Sequence, residues 1–464
     1  MLHPDGTTRR AYQGLQNGFF DDSELELKKR AVEAEALFRR TGIVFNVYGD
    51  AEGQERLIPF DIVPRILDAA EWDVIERGVI QRVDALNQLV YDLYHDRDIV
   101  DAGIVPVSQL ARNEAYLPQM IGVSPPGNIY SHIAGVDLVR TGADEFVVLE
   151  DNLRTPSGVS YMLENRETML HLFPQLFEET RVRRVHDYAQ QLRWSLEASA
   201  PAGVDNPTVC VLTPGIHNSA YFEHAFLADE MGVELVEGHD LQLHNGRIAM
   251  RTTTGFEPVD VIYRRIDDAF IDPLTFRADS ALGVSGLMDV YRAGRVTLAN
   301  APGAGIADDK AVYSYVPDII RFYCDEEPIL NNVETWRCSE PDQLGWVLDN
   351  LEELVVKEVH GSGGYGMLIG PTSSAAEIEQ FRAKLMANPD GYIAQPTLAL
   401  STVPILTDAG LAPRHVDLRP FVLSSPESIR VTPGGLTRVA MVEGSLVVNS
   451  SQGGGTKDTW VLEA

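Results

Sequence analysis

Residues 354–370, LVVKEVHGSGGYGMLIG, restrict the possible folds of this chain more than any other stretch. Gly361, Gly363 and Gly366 satisfy G-x-G-x-x-G, but a dinucleotide-binding turn of that spacing must open a helix. Here β-favouring residues stand on both sides. The segment therefore predicts a β-hairpin with a glycine tip, whose backbone N–H groups are free to point at phosphate oxygens. Lys357 lies four residues before the tip on the first strand, positioned to reach the same oxygens. The competing reading is a plain glycine-rich hairpin with a solvated lysine.

A second constellation is acidic. In GVDLVRTGADEFVVLEDNLRTP, two strand-like runs flank Gly-Ala-Asp, so a hairpin is expected with Asp137 beside Glu150. Glu150 and Asn152 are two apart and share a strand face. Two carboxylates and an amide oxygen form a hard, oxygen-only set that suits Mg²⁺ shared with phosphate oxygens. Crowded carboxylates also predict mutual repulsion that a divalent cation would relieve. Capping and turn formation are the ordinary alternative. Arg154 follows this set, and Arg264 and Arg265 end the apolar strand VDVIYRR, where a guanidinium can hold a carboxylate or phosphate in a fork. Asp267 or Asp268 could instead neutralise that pair.

Around these segments the chain reads as mixed α and β. A helix is expected at about 23–40, a hairpin from 42–50 and 55–63, a helix over 72–97 and a long helical stretch at 160–198. ASAPAGVDNP at 198–207 reads as a linker. Residues 208–265 alternate strand and helix like a small open α/β unit, 310–400 form a lid-sized α+β segment, and 415–462 are β-rich. The implied divisions are 1–200, 201–300, 301–400 and 401–464.

Composition narrows function by exclusion. With 38 basic against 68 acidic residues among 464, the net charge is −30, which works against nonspecific nucleic-acid binding. No run approaches the roughly 18 apolar residues of a membrane span. MLHPDGTTRR lacks the apolar centre of a secretory leader, so a cytoplasmic setting is expected. Cys210, Cys324 and Cys338 show no C-x-x-C spacing, and the histidines show no metal-ligand spacing.

Taken together, VYGD with IPFDIVPR (47–65), GVDLVR and VLEDNLRTPSGVSYMLENR (135–166), VDVIYRRIDD (259–268), VVKEVHGSGGYG (355–366) and NSSQGGGTKDTWVL (449–462) resemble the circularly permuted ATP-grasp type 2 family, distantly similar to glutathionylspermidine synthetase. The resemblance implies an α/β fold of two α+β lobes that clamp ATP, with a small open α/β subdomain. It implies Asp137, Glu150 and Asn152 as Mg²⁺ ligands. Lys310, Lys357, Gln395 and Lys457 would attend the nucleotide, with Gly361, Gly363, Gly364 and Gly366 as the phosphate loop. Arg154, Arg264 and Arg265 would serve the chemistry. The activity implied is ligation of a small-molecule or peptide carboxylate to an amine through an acyl phosphate. A phosphotransferase and a nucleotide-binding scaffold remain the alternatives. One departure stands out: the synthetase carries an arginine two residues before its first metal aspartate, and Gly135 occupies that position here. The C-terminal segment containing Lys457 is expected to line the same cleft as the acidic set.

Overall fold

The computed structural model describes residues 1, 7–15, 19, 23–46, 55–142, 145–361, 366–398, 400–449 and 453–464. Its central sheet runs in the order Asn331–Asn332, Phe146–Asn152, Ile133–Arg140, Phe421–Ser424, Ile429–Val431. The expected hairpin is present. Ile133–Arg140 and Phe146–Asn152 pair antiparallel, with Asp137 opposite Glu150 and Gly135 opposite Asn152. The register shifts between Asp137 and Leu138, because Leu138 faces Val148 and leaves Leu149 as an extra residue. This bulge sets Leu149 and Glu150 together against Asp137, so two consecutive side chains turn toward one face.

The opposite face of the sheet is held by the long helix Ala69–Tyr94. A capping box starts it: Glu71 N–H donates to Asp68 Oδ1 at 2.9 Å, and Asp68 N–H donates to Glu71 Oε2 at 3.3 Å. Ile75, Val79, Leu86 and Val90 repeat at helical spacing and are fully buried. On the same helix buried Arg82 forks onto Asp151, with both contacts at 2.7 Å. Asp151 thus points to the helix, while its neighbours Glu150 and Asn152 point away from it.

The stretch expected to be one long helix is three: Val159–Leu172, Pro174–Glu179 and Tyr188–Glu197. Pro174 supplies no N–H to continue the first and opens the second instead. The segment at 198–207 is irregular, as a linker would be, yet Ser199 is buried and its carbonyl accepts from Thr297 Oγ1 at 2.6 Å. Beyond it lies the small open α/β unit, a parallel sheet in the order Thr297–Ala299, Val261–Arg264, Val209–Leu212, Glu234–Val236. Tyr221–Met231 forms its crossover helix.

The glycine segment belongs to a further sheet, ordered Trp336–Arg337, Tyr392–Pro396, Leu354–Glu358, Leu368–Ile369. Val355 pairs with Ile369 and Val356 with Leu368, so the hairpin is real, and Gly363 and Gly364 at its tip lie outside the described residues. Leu354 and Val356 enter a core with Val347 and Leu385, which leaves Val355 and Lys357 on the other face. At the C-terminal side, Gly455–Val461 pairs parallel with Phe60–Leu67. The first hairpin is therefore shorter than expected, Val44–Asn46 with Glu55–Leu57, and residues 47–54 of its turn lie outside the described residues.

Candidate active site

A cavity opens between the central sheet and the glycine-bearing sheet. Its walls are apolar at Leu149, Val355, Ile369, Leu398 and Val447, and polar at Asp137, Glu150, Lys310, Lys357 and Gln395. The bulge supplies both kinds of wall from adjacent residues, Leu149 and Glu150. Lys357 donates to Gln395 Oε1 at 2.7 Å, and Gln395 Nε2 donates to Thr335 Oγ1 at 3.0 Å. Burial pulls the Lys357 ammonium down to about 8, against the nearby charge of Glu150, which favours the protonated form.

Lys310 joins the walls. Its ammonium lies 3.0 Å from Glu150 Oε1 and donates to Gly361 O at 2.5 Å, while its backbone N–H donates to Val359 O at 3.3 Å. The base of the glycine loop is thereby fastened to the short helix Lys310–Tyr313. A second, wider cavity lies beyond this junction and shares Glu150, Lys310 and Gly361 with the first. Asn152, Arg154, Asp267, Asp308 and His360 line it.

The acidic set meets as expected, but its electrostatics differ. Asp137 is buried and clamped by Arg419, at 2.5 and 2.7 Å, and by Arg438 at 2.7 Å. Burial alone would raise its carboxyl, and the two guanidiniums outweigh that and hold it at about 2. Arg438 also binds Asp417, through Nε at 3.0 Å to each oxygen. Mutual repulsion of Asp137 and Glu150 is therefore not the governing term, since each already has a cationic partner. The residue opposite Asn152 explains the missing arginine: a Cβ on Gly135 would stand 3.1 Å from Arg419 Cδ. Arg419 occupies the space from a neighbouring strand's entry.

As a magnesium site the set fits in part. Glu150 and Asn152 present oxygen chemistry on the cleft face, and the buried Asn152 Nδ2 has no partner, so an amide flip would leave its oxygen free for a cation. Both oxygens of Asp137 are committed to arginines. Among the described residues no cluster of three or more His, Cys, Asp or Glu is arranged to hold a metal ion.

Arg154 reaches the second cavity with its side chain 42% exposed, 3.5 Å from Asp267 and 3.9 Å from Asp308. The other two arginines correct the sequence expectation. Arg264 is wholly buried, donating to Asn300 O, Ile266 O and Ala301 O and pairing with Asp268 at 2.6 Å. Arg265 is buried against Tyr263 Oη, Pro156 O, Ser157 Oγ and Glu223. A guanidinium so occupied braces the loops around it and offers no open fork.

Lys457 is a further correction. It is fully buried, pairs with Asp61 at 2.7 Å and donates to Val63 O and Pro404 O. Gly455–Val461 is buried along its whole length, so its lysine cannot face a cleft. The C-terminal region reaches the first cavity through Val448 and Asn449 instead. Gly366 takes a positive φ of 70° at the close of the glycine turn, a conformation that favours glycine. Arg419, Arg438 and Asp417 escaped sequence reasoning, and their only trace is alternation of charge with apolar residues in DLRPFVL and TRVAM.

Two α+β bodies with a cleft between them, walled by paired lysines, a glycine hairpin and an acidic strand end, define the ATP-grasp architecture. This chain belongs to the circularly permuted ATP-grasp type 2 family, whose pattern matches residues 64–440. It is 54% identical over 428 residues to an uncharacterized protein of Synechocystis sp., covering 92% of this chain and 89% of that one. An uncharacterized Mycobacterium tuberculosis protein is 52% identical over 462 residues, covering 100% of this chain and 83% of the relative. A Frankia alni protein, provisionally named glutamate–cysteine ligase 2-3, is 45% identical over 466 residues, and the chain spans 53% of its length. The fold is also that of a glutathione synthetase-like effector from Globodera pallida, with TM-score 0.60 at 9% identity over 95% of this chain and 98% of that one. Family and ligase-named relatives together point to an ATP-dependent ligase.

Proposed function

We propose that the chain is an ATP- and Mg²⁺-dependent carboxylate–amine ligase that forms an amide through an acyl phosphate and releases ADP and phosphate. The observation that carries this reading is the junction of two cavities at Glu150, Lys310 and Gly361. In it, the nucleotide base rests against Val355, Ile369 and Leu398, and the phosphates run toward Lys357 and Lys310. Glu150 and Asn152 would hold Mg²⁺, which supplies charge neutralisation on the phosphates. Arg154 holds a carboxylate in the second cavity, so that its oxygen approaches the terminal phosphorus at the junction. Lys310 offsets the charge that develops there.

The reading includes a cytoplasmic setting. Among the described residues no helix is long and apolar enough to cross a membrane. The Frankia alni name makes glutamate the first carboxylate to try and cysteine the first amine. The test is ADP release across a panel of carboxylates and amines. Release that needs both supports a ligase. Release with a hydroxyl acceptor and no carboxylate would make the protein a phosphotransferase, and ATP binding without release anywhere would make it a scaffold.

A further inference from the structure

The second cavity contains a histidine that faces a sealed carboxylate, and neither has a role in the reading above. Asp309 caps the helix Lys310–Tyr313, accepting from Ala311 N–H at 2.7 Å and Val312 N–H at 3.1 Å through Oδ1. Its side chain is fully buried, and Gln109 Nε2 approaches Oδ2 at 3.5 Å. The same oxygen faces His360 Nδ1 at 3.7 Å. The His360 ring is 38% exposed and lines the second cavity. Its backbone is fixed on either side, since Val359 O accepts from Lys310 N–H and Gly361 O accepts from Lys310 Nζ. Among the described residues Nε2 has no hydrogen bond. A carboxylate behind Nδ1 favours the tautomer whose Nε2 carries a lone pair.

This arrangement is that of a general base with an orienting acid, beside the point where the two cavities meet. We propose that His360, oriented by Asp309, takes the proton that an ammonium acceptor must lose before it can attack the acyl phosphate. The inference rests on the ligase reading. Nε2 removes one proton from the ammonium, and the freed nitrogen lone pair bonds to the acyl carbon. The bond from that carbon to the phosphoryl oxygen breaks, and the phosphate leaves with the electron pair and takes up the second nitrogen proton. His360 returns its proton to solvent. Besides Asp309, the charged groups that line the cavity with the ring are Glu114, Glu150, Arg154, Asp267, Asp268, Arg277, Asp308 and Lys310.

Hydroxylamine separates the step from the rest, because it is unprotonated at neutral pH and needs no base. With glutamate and the other common amino acids as carboxylates, the wild-type protein should give hydroxamate and ADP with hydroxylamine, and amide with an ordinary amine. His360→Gln should lose about 100-fold or more in the amine reaction at pH 7. It should keep hydroxamate formation within a few-fold, and its residual amine rate should climb with pH as free amine accumulates. Asp309→Asn keeps a capping side chain. It should lower kcat with the amine and leave hydroxamate formation within a few-fold, because the group lost is the one that faces Nδ1 and orients the ring. Equal losses with both acceptors, or no loss with the amine, in a His360→Gln protein of unchanged melting temperature would overturn the proposal. Absence of hydroxamate in the wild type would overturn the ligase reading itself and the proposal with it.

Discussion

Lys357 offers a quantitative test of where the nucleotide sits. Its ammonium, at about 8 in the free protein against 10.5 in an unfolded chain, is held down by burial. A phosphate group docked beside it would restore the charged form, so ATP binding must take up a proton wherever the free lysine is deprotonated. At pH 8.5 that amounts to about three-quarters of a proton per nucleotide bound. Between pH 7 and pH 9 the protonated fraction falls about tenfold, and ATP affinity should fall by the same factor, ~1.4 kcal/mol. The nucleotide's own phosphates are ionised over most of this window. Calorimetry at pH 8.5 in two buffers of different ionisation heat measures the uptake directly. Lys357→Met, which keeps the stem and removes the titration, should bind more weakly and show no uptake. Stability of the free protein should move the opposite way: between pH 8 and 10.5 the unfolded lysine binds more proton than the folded one, so this group's contribution improves as pH rises. An ATP affinity that is flat from pH 7 to 9, or a slope that survives in Lys357→Met, would refute the placement of phosphates at this lysine.

Glu150→Gln should leave the melting temperature of the free protein unraised, because Lys310 and not Asp137 is its partner, while abolishing the Mg²⁺-dependent shift given by ATP; a retained shift would remove Glu150 from the metal site. Lys457→Met leaves Asp61 charged and buried, and should cost about 3–5 kcal/mol in urea denaturation, with most of it recovered in Lys457→Met combined with Asp61→Asn; a loss below about 1 kcal/mol would refute a buried pair. Asp308, raised to about 7 by burial, destabilises the fold as pH rises from its ordinary carboxylate range through 7, so Asp308→Asn should melt higher than the wild type at pH 8 but not at pH 4. Melting curves at the two pH values decide it.

Local pattern in the sequence was sufficient for the central hairpin, because a turn between two apolar runs pairs Asp137 with Glu150 at short range. The glycine hairpin was legible for the same reason, from β-favouring residues on both sides of its tip. The bulge was not. A period of two cannot reveal an extra residue, so the common orientation of Leu149 and Glu150 stayed hidden. Pro174 was visible, and its interruption of the helical stretch should have been expected. The misread charges share one cause. Arg265, Lys457 and Asp137 find partners at Glu223, Asp61 and Arg419, which no local spacing connects. A charged residue in an apolar strand looks functional until its counterion is located, and of the two strand-end arginines only Arg264 takes the nearby candidate, Asp268.

The clamp on Asp137 also bears on the order in which the molecule is completed during synthesis. Its two arginines lie 282 and 301 residues further along the chain. At roughly 5–20 residues per second the ribosome needs about 15–60 s to deliver the second of them. Until then the central hairpin carries an aspartate that cannot be buried in ionised form without a large desolvation cost. Phe60–Leu67 waits longer still for Gly455–Val461. The walls of the first cavity that carry Asp137, Lys357 and Arg438 therefore cannot close together until residue 438 has been made.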